Sequence, residues 1–178
     1  MRIGLLRHFP VDMPQPQGWI TSAELRDWQT KYDEADVRVC SYTLGDIAWK
    51  HCISSDLLRA TSTAKVVYQG DFHTTATLRE PQIGEFGTGS LRLPLWAWRL
   101  LLRLTWMTGH RSQRASRDDF KQRVKSMVDQ LRTSETDTLV VCHAGMMMFL
   151  AKELKAHGFS GPKMGIPKHA PHVYVYQR

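Results

Sequence analysis

The stretch DTLVVCHAGMMMFLAKELKAHG, residues 137–158, decides the fold. It opens with a continuous run of apolar, β-favouring residues, a pattern typical of a strand that is buried on both faces. After His143 the apolar pattern continues to Gly158, and glycine commonly follows the last turn of a helix. A buried strand that leads directly into a helix predicts a β–α unit of a parallel sheet.

The same alternation extends in both directions along the chain. The pattern predicts further strands at residues 2–7, 50–55, 74–78 and 172–176. It predicts helices at 21–35, with a capping box from Thr21 or Ser22 to Glu24, at 56–70, capped by Asp56 and ended by Gly70, and at 118–131. Strands that alternate with helices predict a three-layer α/β/α sandwich with a mostly parallel sheet, formed as one domain over residues 1–178.

Composition is that of a globular protein, with 42% hydrophobic and 23% charged residues in 178. Three cysteines, an odd number without a Cys-x-x-Cys pair, predict neither a disulfide framework nor a zinc site. The first apolar run is too short for a signal peptide and has no small-residue cleavage site. We therefore expect a cytoplasmic protein.

Positive charge is concentrated in one segment. The net charge is +7, and residues 92–125 hold nine Lys and Arg against two Asp. The chain shows no recognisable nucleic-acid-binding module, so we expect no nucleic-acid partner and favour an acidic small substrate.

Residues 92–117, with Trp96, Trp98, Trp106, Arg99 and Arg103, leave three hypotheses open. The segment could be a helix that packs its apolar residues on the sheet, or a basic, tryptophan-rich cap at about 90–117 that recruits substrate. The third hypothesis is an interfacial membrane helix. Its apolar length and its arginines argue against a transmembrane helix.

Polar residues that can take part in catalysis or ligand binding follow two of the predicted strands. Arg7 and His8 end the first strand, His143 ends the strand at 137–142, and ligands bind at the carboxyl ends of strands in such sheets. A guanidinium beside an imidazole disfavours the protonated ring, so His8 is expected to be neutral and able to act as a nucleophile or metal ligand. Arg59 lies in the first turn of its helix, where the macrodipole disfavours cations, and an anion would relieve this. Each residue alone has a structural alternative, but two arginines and two histidines together predict a phosphoryl site.

Four ordered blocks make the chain similar to the histidine phosphatase superfamily, the phosphoglycerate mutase-like family. They are LLRHF at 5–9, SSDLLRATSTA at 54–64, LREPQIGEF at 78–86 and VVCHAG at 140–145. The resemblance implies the phosphoglycerate mutase-like form of the predicted sandwich. It also implies a phosphatase that needs no metal or other cofactor.

The resemblance implies roles for five residues. His8 would attack phosphorus and become phosphohistidine, while Arg7, Arg59 and His143 would bind the phosphoryl oxygens. Glu80 would act as the proton donor. Glu85 competes for that role, but the family spacing fits Leu78, Glu80, Gly84 and Phe86.

Three positions near His8 depart from the family pattern. Phe9 stands where the family usually has glycine, Val11 where it has a hydroxyl residue, and Pro14 where mutases have asparagine. Fewer polar groups are therefore expected to contact the phosphate.

The leading functional hypothesis is a metal-independent phosphomonoester hydrolase that acts through phosphohistidine on a small acidic metabolite. The alternatives are a protein phosphohistidine phosphatase and a low-activity binding module that uses the basic segment. Mutase activity is a minor alternative, and the sequence leaves the oligomeric state open.

Overall fold

The computed structural model describes residues 1–81, 89–168 and 172–178. Its strands are β1 (Arg2–Arg7), β2 (Trp19–Ile20), β3 (His51–Ser55), β4 (His73–Thr75), β5 (Leu93–Pro94), β6 (Thr138–Cys142) and β7 (Tyr174–Gln177). Its helices are α1 (Ser22–Glu34), α2 (Leu58–Val67), α3 (Leu95–Thr108), α4 (Arg114–Thr133) and α5 (Ala144–Ala156).

Five of the strands form the central sheet in the order β4-β3-β6-β1-β7. β1 and β3 run parallel to β6, β4 runs parallel to β3, and β7 runs antiparallel to β1. β2 and β5 form a separate antiparallel pair. The predicted, mostly parallel sheet is confirmed.

β6 lies at the centre of the sheet and is buried along its whole length. Its side chains alternate between two apolar clusters, so Leu139 and Val141 pack on one face and Val140 and Cys142 on the other. Helices cover both faces: α2 packs into the first cluster, and α4 and α5 pack into the second. A strand covered on both faces needs apolar residues at every position, which explains the continuous run in the sequence.

Local differences from the sequence prediction have identifiable causes. The capping box of Thr21 and Glu24 is confirmed. Asp56 does not cap α2, which begins at Leu58, because both of its carboxylate oxygens accept hydrogen bonds from Arg79 at 2.7 Å. The strand predicted at 74–78 is correct only at its start, since residues 76–78 form a 3₁₀ turn.

α4 is longer than predicted and begins at Arg114 rather than at 118. The turn between α3 and α4 begins at Gly109. This residue follows the last turn of α3 and has a φ of 69°, in the left-handed region that glycine adopts readily.

α3 packs against α1 and the small β2–β5 pair rather than on the central sheet. Leu95, Trp98 and Leu102 join Ile20 and Leu25 in a third buried cluster. Near the end of α3, Trp106 makes edge-to-face contacts with aromatic rings of α4 and α5. α3 therefore buries one apolar face, as the first hypothesis states, and leaves Arg99 and Arg103 exposed, but most of that face meets α1 and β2 rather than the central sheet.

Within the described ranges, none of the helices has both the length and the apolar character that crossing a bilayer requires.

Candidate active site

The candidate site begins where β1 and β6 end side by side. Their register pairs Arg7 with Cys142, so the next residues, His8 and His143, are neighbours. Both histidines are buried, with 3% and 1% of their surface exposed, and their ring centroids lie 5.2 Å apart. The carboxyl edge of the sheet thus brings together two imidazoles that are 135 residues apart in the sequence.

A hydrogen bond to its neighbour's backbone orients the His8 ring. Nδ1 lies 2.6 Å from the Phe9 carbonyl oxygen. Because a carbonyl only accepts, Nδ1 carries the proton, and the neutral ring keeps its lone pair on Nε2. Of the two ring nitrogens of His8, Nε2 is therefore the one that could act as a nucleophile or a ligand.

His143 is held in the opposite tautomer. Its Nδ1 accepts from Arg59 Nε at 3.2 Å, so the proton lies on Nε2, which donates to Ser55 Oγ at 2.9 Å. Burial lowers the pKa of His143 well below its usual value, and the nearby His8, Arg59 and Arg7 lower it further. Both ring nitrogens of His143 are thus engaged, so its N–H can reach an oxyanion only by exchanging Ser55 Oγ for the ligand.

Arg59 is buried at the start of α2 and is held from α1. Its Nη1 donates to Asp33 Oδ1 at 2.5 Å, and its guanidinium lies 5.2 Å from the centre of the Tyr32 ring. Asp33 lies in the last turn of α1 and Arg59 in the first turn of α2, so each opposes its own helix dipole. Sequence reasoning missed Asp33, and this second charge placed against a dipole was the signal that could have found it.

Arg7 retains donors that can meet an anion. Its Nη1 donates to the Pro167 carbonyl at 2.8 Å, and its buried Nε has no hydrogen-bond partner among the described residues. Burial lowers the pKa of Arg7, while the nearby Glu80 and Tyr32 favour the charged form. An unmatched buried N–H of this kind is costly unless a ligand oxygen accepts it.

Glu80 approaches the start of α5. Its Oε1 accepts from the Gly145 N–H at 2.8 Å. Burial raises the pKa of Glu80, while the Gly145 N–H and the charges of Arg59, Arg7 and Arg103 act in the opposite direction. A Cβ at Gly145 would lie 2.6 Å from Glu80 Oε2, so this approach requires glycine. The competing Glu85 lies outside the described residues.

The three unusual positions after His8 contribute to packing. The Phe9 side chain is fully buried in the core, and its N–H donates to Thr63 Oγ1 at 2.9 Å. Val11 forms a bridge with Val37, and the Pro14 carbonyl accepts from the Trp28 indole at 3.0 Å. Phe9 therefore serves the site through its backbone, while its side chain anchors the loop.

The structure brings together all five residues predicted for the site, namely Arg7, His8, Arg59, Glu80 and His143. It adds Ser55, Thr63, Asp33 and Tyr32 as residues that orient them. Among residues 1–81, 89–168 and 172–178, no group of three or more His, Cys, Asp or Glu is arranged to hold a metal ion. Two guanidinium groups and two imidazoles beside a partly buried carboxyl form a site that can bind a tetrahedral oxyanion and transfer a proton next to it.

The family model of the histidine phosphatase superfamily (branch 1) matches residues 30–177. The chain belongs to the histidine phosphatase superfamily. The match includes Arg59, Glu80 and His143 and begins after Arg7 and His8. The predicted family and enzyme class, a histidine phosphatase, are confirmed. A comparison with curated proteins finds no match.

Solved structures share the fold of this histidine phosphatase. Phosphoglycerate mutase from Bacillus anthracis has a TM-score of 0.57 and 18% identity, covering 99% of this chain and 88% of that chain. A mycobacterial glucosyl-3-phosphoglycerate phosphatase has a TM-score of 0.55 and 23% identity, covering 86% and 78%. The alpha-ribazole phosphatase from Shigella flexneri has a TM-score of 0.51 and 20% identity, covering 86% and 79%. At these identities the likeness concerns the fold, and it agrees with the predicted sandwich.

Proposed function

We propose that this phosphatase hydrolyses phosphomonoesters of small acidic metabolites, without a metal ion, through a phosphohistidine on His8. The observation that carries the proposal is the 2.6 Å hydrogen bond between His8 Nδ1 and the Phe9 carbonyl, because it places the proton on Nδ1 and so makes Nε2 the nitrogen that would attack phosphorus. Arg7 and Arg59 supply the positive charge that phosphoryl transfer requires.

In the first step, His8 Nε2 forms a bond to phosphorus as the bond to the ester oxygen breaks. Glu80 gives its proton to the departing alkoxide. Burial raises the pKa of Glu80, which keeps more of the carboxyl protonated near neutral pH and suits this role. The Arg7 and Arg59 guanidiniums neutralise charge on the equatorial oxygens, and the His143 N–H joins them by exchanging Ser55 Oγ for a phosphoryl oxygen.

In the second step, water attacks the phosphoenzyme from the side of the departed alcohol. Glu80, now ionised, accepts the water proton as the P–N bond breaks. Inorganic phosphate leaves, and both His8 and Glu80 return to their starting protonation states.

Two observations support small acidic substrates. Arg103 of α3 is near enough to Glu80 to favour its ionised form, so the basic segment adjoins the site. The mycobacterial and Shigella proteins that share the fold carry names of phosphatases that act on small phosphorylated metabolites.

The buried thiols of Cys52 and Cys142 are consistent with a reducing cytoplasm, which we propose as the compartment.

Trapping the phosphoenzyme tests the mechanism. We expect quenching in alkaline detergent during turnover to leave an acid-labile phosphate on His8, and His8→Ala to abolish both label and hydrolysis. His73→Ala, at an exposed position of β4, is the matched control and keeps both. A label that survives in His8→Ala would contradict the proposal.

A substrate panel with excess EDTA tests the substrate class. We expect hydrolysis of acidic phosphomonoesters to exceed that of a phosphohistidine peptide, with inhibition by vanadate. Preference for the peptide would favour the alternative, a protein phosphohistidine phosphatase. Activity that requires a restored divalent ion would contradict the metal-independent mechanism.

A further inference from the structure

The outer face of α3 carries a row of exposed apolar side chains. Trp96, Leu100, Leu104 and Met107 have 69%, 51%, 49% and 61% of their surface exposed. Their spacing of four, four and three residues places them on one face of a helix. We name these four residues the outer stripe.

The outer stripe is distinct from the face that stabilises the fold. Leu95, Trp98 and Leu102 already bury the inner face of α3 against α1. Scattered exposed apolar residues are ordinary, but a continuous row on one helix marks an interaction surface. The outer stripe is therefore a candidate surface for binding a partner.

The surroundings of the outer stripe are basic. Arg99 and Arg103 are exposed on the same helix, each one residue before a leucine of the stripe. Residues 89–117 contain six arginines and no Asp or Glu. An apolar stripe beside arginines is complementary to a surface that is apolar inside and anionic outside.

Charge argues against a second copy of the chain as the partner. A two-fold contact would place the same patch on both sides, so Arg99 and Arg103 would face the identical arginines across an apolar seam. An anionic lipid surface would instead attract these arginines, because its headgroup phosphates bind guanidinium groups while its acyl region accepts apolar side chains.

We propose that the outer stripe docks α3 onto the surface of an anionic lipid bilayer. The helix lies in the interface plane, with the four apolar side chains directed toward the acyl boundary and Arg99 and Arg103 at the headgroups. Its 14 residues would span about 21 Å at about 1.5 Å per residue, which is short of the roughly 30 Å hydrocarbon core.

Vesicle sedimentation with the full chain tests this proposal independently of phosphatase activity. We expect binding to phosphatidylcholine vesicles that contain phosphatidylglycerol, little binding to phosphatidylcholine alone, and weaker binding at high salt. The triple variant Trp96→Gln, Leu100→Gln and Leu104→Gln should lose at least tenfold in affinity. Glutamine keeps good helix propensity, and circular dichroism with a thermal melt checks that the variant is folded.

The matched controls lie elsewhere on the surface. Val39→Gln removes another exposed apolar side chain, and Lys152→Gln with Lys155→Gln removes two exposed charges of α5. Both should bind anionic vesicles as the unmodified protein does. Equal binding to both vesicle types, or unchanged binding of the folded triple variant, would overturn the proposal. So would self-association in sedimentation velocity that the triple variant abolishes, if the protein does not bind vesicles.

Discussion

The candidate active site at the ends of β1 and β6 and the outer face of α3 both present arginines, but the surroundings of these arginines differ. Arg59 is buried and fixed by Asp33 and His143, and Arg7 is anchored to the Pro167 carbonyl. Arg99 and Arg103 are exposed on a helix surface. A fixed, buried arginine acts through its position, whereas an exposed one acts through a field that salt screens. Changes in the candidate active site should therefore affect chemistry strongly, and changes on α3 should affect recruitment weakly.

After His8→Ala, which should abolish turnover, the largest effect is expected from Glu80→Gln. The variant should lose about 10²–10⁴-fold in kcat on alkyl phosphates, because their alkoxides need a proton as they leave. An aryl phosphate with a good leaving group should be affected far less. Steady-state kinetics on a leaving-group series measures this.

Glu85→Gln is the control for that series and should show no dependence on the leaving group. If the two variants exchange behaviour, the role assigned to Glu80 belongs to Glu85.

The next largest effect concerns His143 and the way the free energy of unfolding depends on pH. Because the pKa of His143 is lowered in the fold, the ring stays neutral there while the unfolded chain protonates it below its usual value of 6.5. The unfolded state then binds more protons, so the free energy of unfolding falls as pH falls from about 7. One such group contributes a slope of at most about 1.4 kcal/mol per pH unit.

Urea unfolding between pH 7 and pH 5 measures that slope. His143→Gln should flatten it, while His73→Gln, at a position exposed to solvent, should leave it unchanged. Equal slopes for the unmodified protein and His143→Gln would mean that the buried ring protonates as easily as the unfolded one.

A smaller effect is expected at Asp33. Its carboxylate holds Arg59 and also adds negative charge beside the oxyanion site. Asp33→Asn keeps an oxygen acceptor for Arg59 and removes the charge, so inorganic phosphate should inhibit severalfold more tightly. Asp33→Ala removes the anchor as well and should bind phosphate more weakly than Asp33→Asn.

Competitive inhibition by phosphate measures both variants, with Asp27→Asn as a control for the same charge change on α1. Weaker inhibition of Asp33→Asn would show that the carboxylate itself positions Arg59 and does not compete with the ligand.

The smallest effect is expected on α3. Without lipid present, Arg99→Glu with Arg103→Glu should raise KM severalfold for an acidic substrate and much less for a neutral-tailed aryl phosphate. The contrast should shrink with salt, because exposed charges are screened over roughly 10 Å at 0.1 M.

Lys152→Glu with Lys155→Glu makes the same charge change on α5 and is the control. Equal KM values for the α3 variant and the unmodified protein would reduce Arg99 and Arg103 to surface residues without a role in substrate recruitment.

Much of the fold could be predicted from local pattern. The run at 137–142 predicts a strand buried on both faces, and the structure places β6 at the centre of the sheet. Asp56 shows the limit of such reasoning. A capping residue was expected there, but a distant arginine, Arg79, takes both carboxylate oxygens. Local propensity does not include a partner that arrives through the tertiary fold.

The tryptophans of α3 teach the same lesson. The sequence pattern does not distinguish the environments of Trp96, Trp98 and Trp106. In the structure, Trp98 is buried, Trp106 contacts aromatic rings of two helices, and Trp96 is exposed. The face of a helix that becomes buried depends on where its neighbours lie. Helical periodicity alone does not identify those neighbours, here α1, α4 and α5.

By itself, the sequence determined the order of the five central-sheet strands and of four helices, α1, α2, α4 and α5, and the chemical types at the site, since apolar periodicity and residue identity are local properties. Arg7, His8, Arg59, Glu80 and His143 could all be named from motifs. Only the tertiary structure decided which nitrogen of each histidine carries the proton, which acid holds Arg59 and which face of α3 meets solvent. The His8 proton depends on how the backbone turns at Phe9, and the others depend on contacts between elements: a hydroxyl of β3, a carboxylate of α1 and the apolar residues that meet α3.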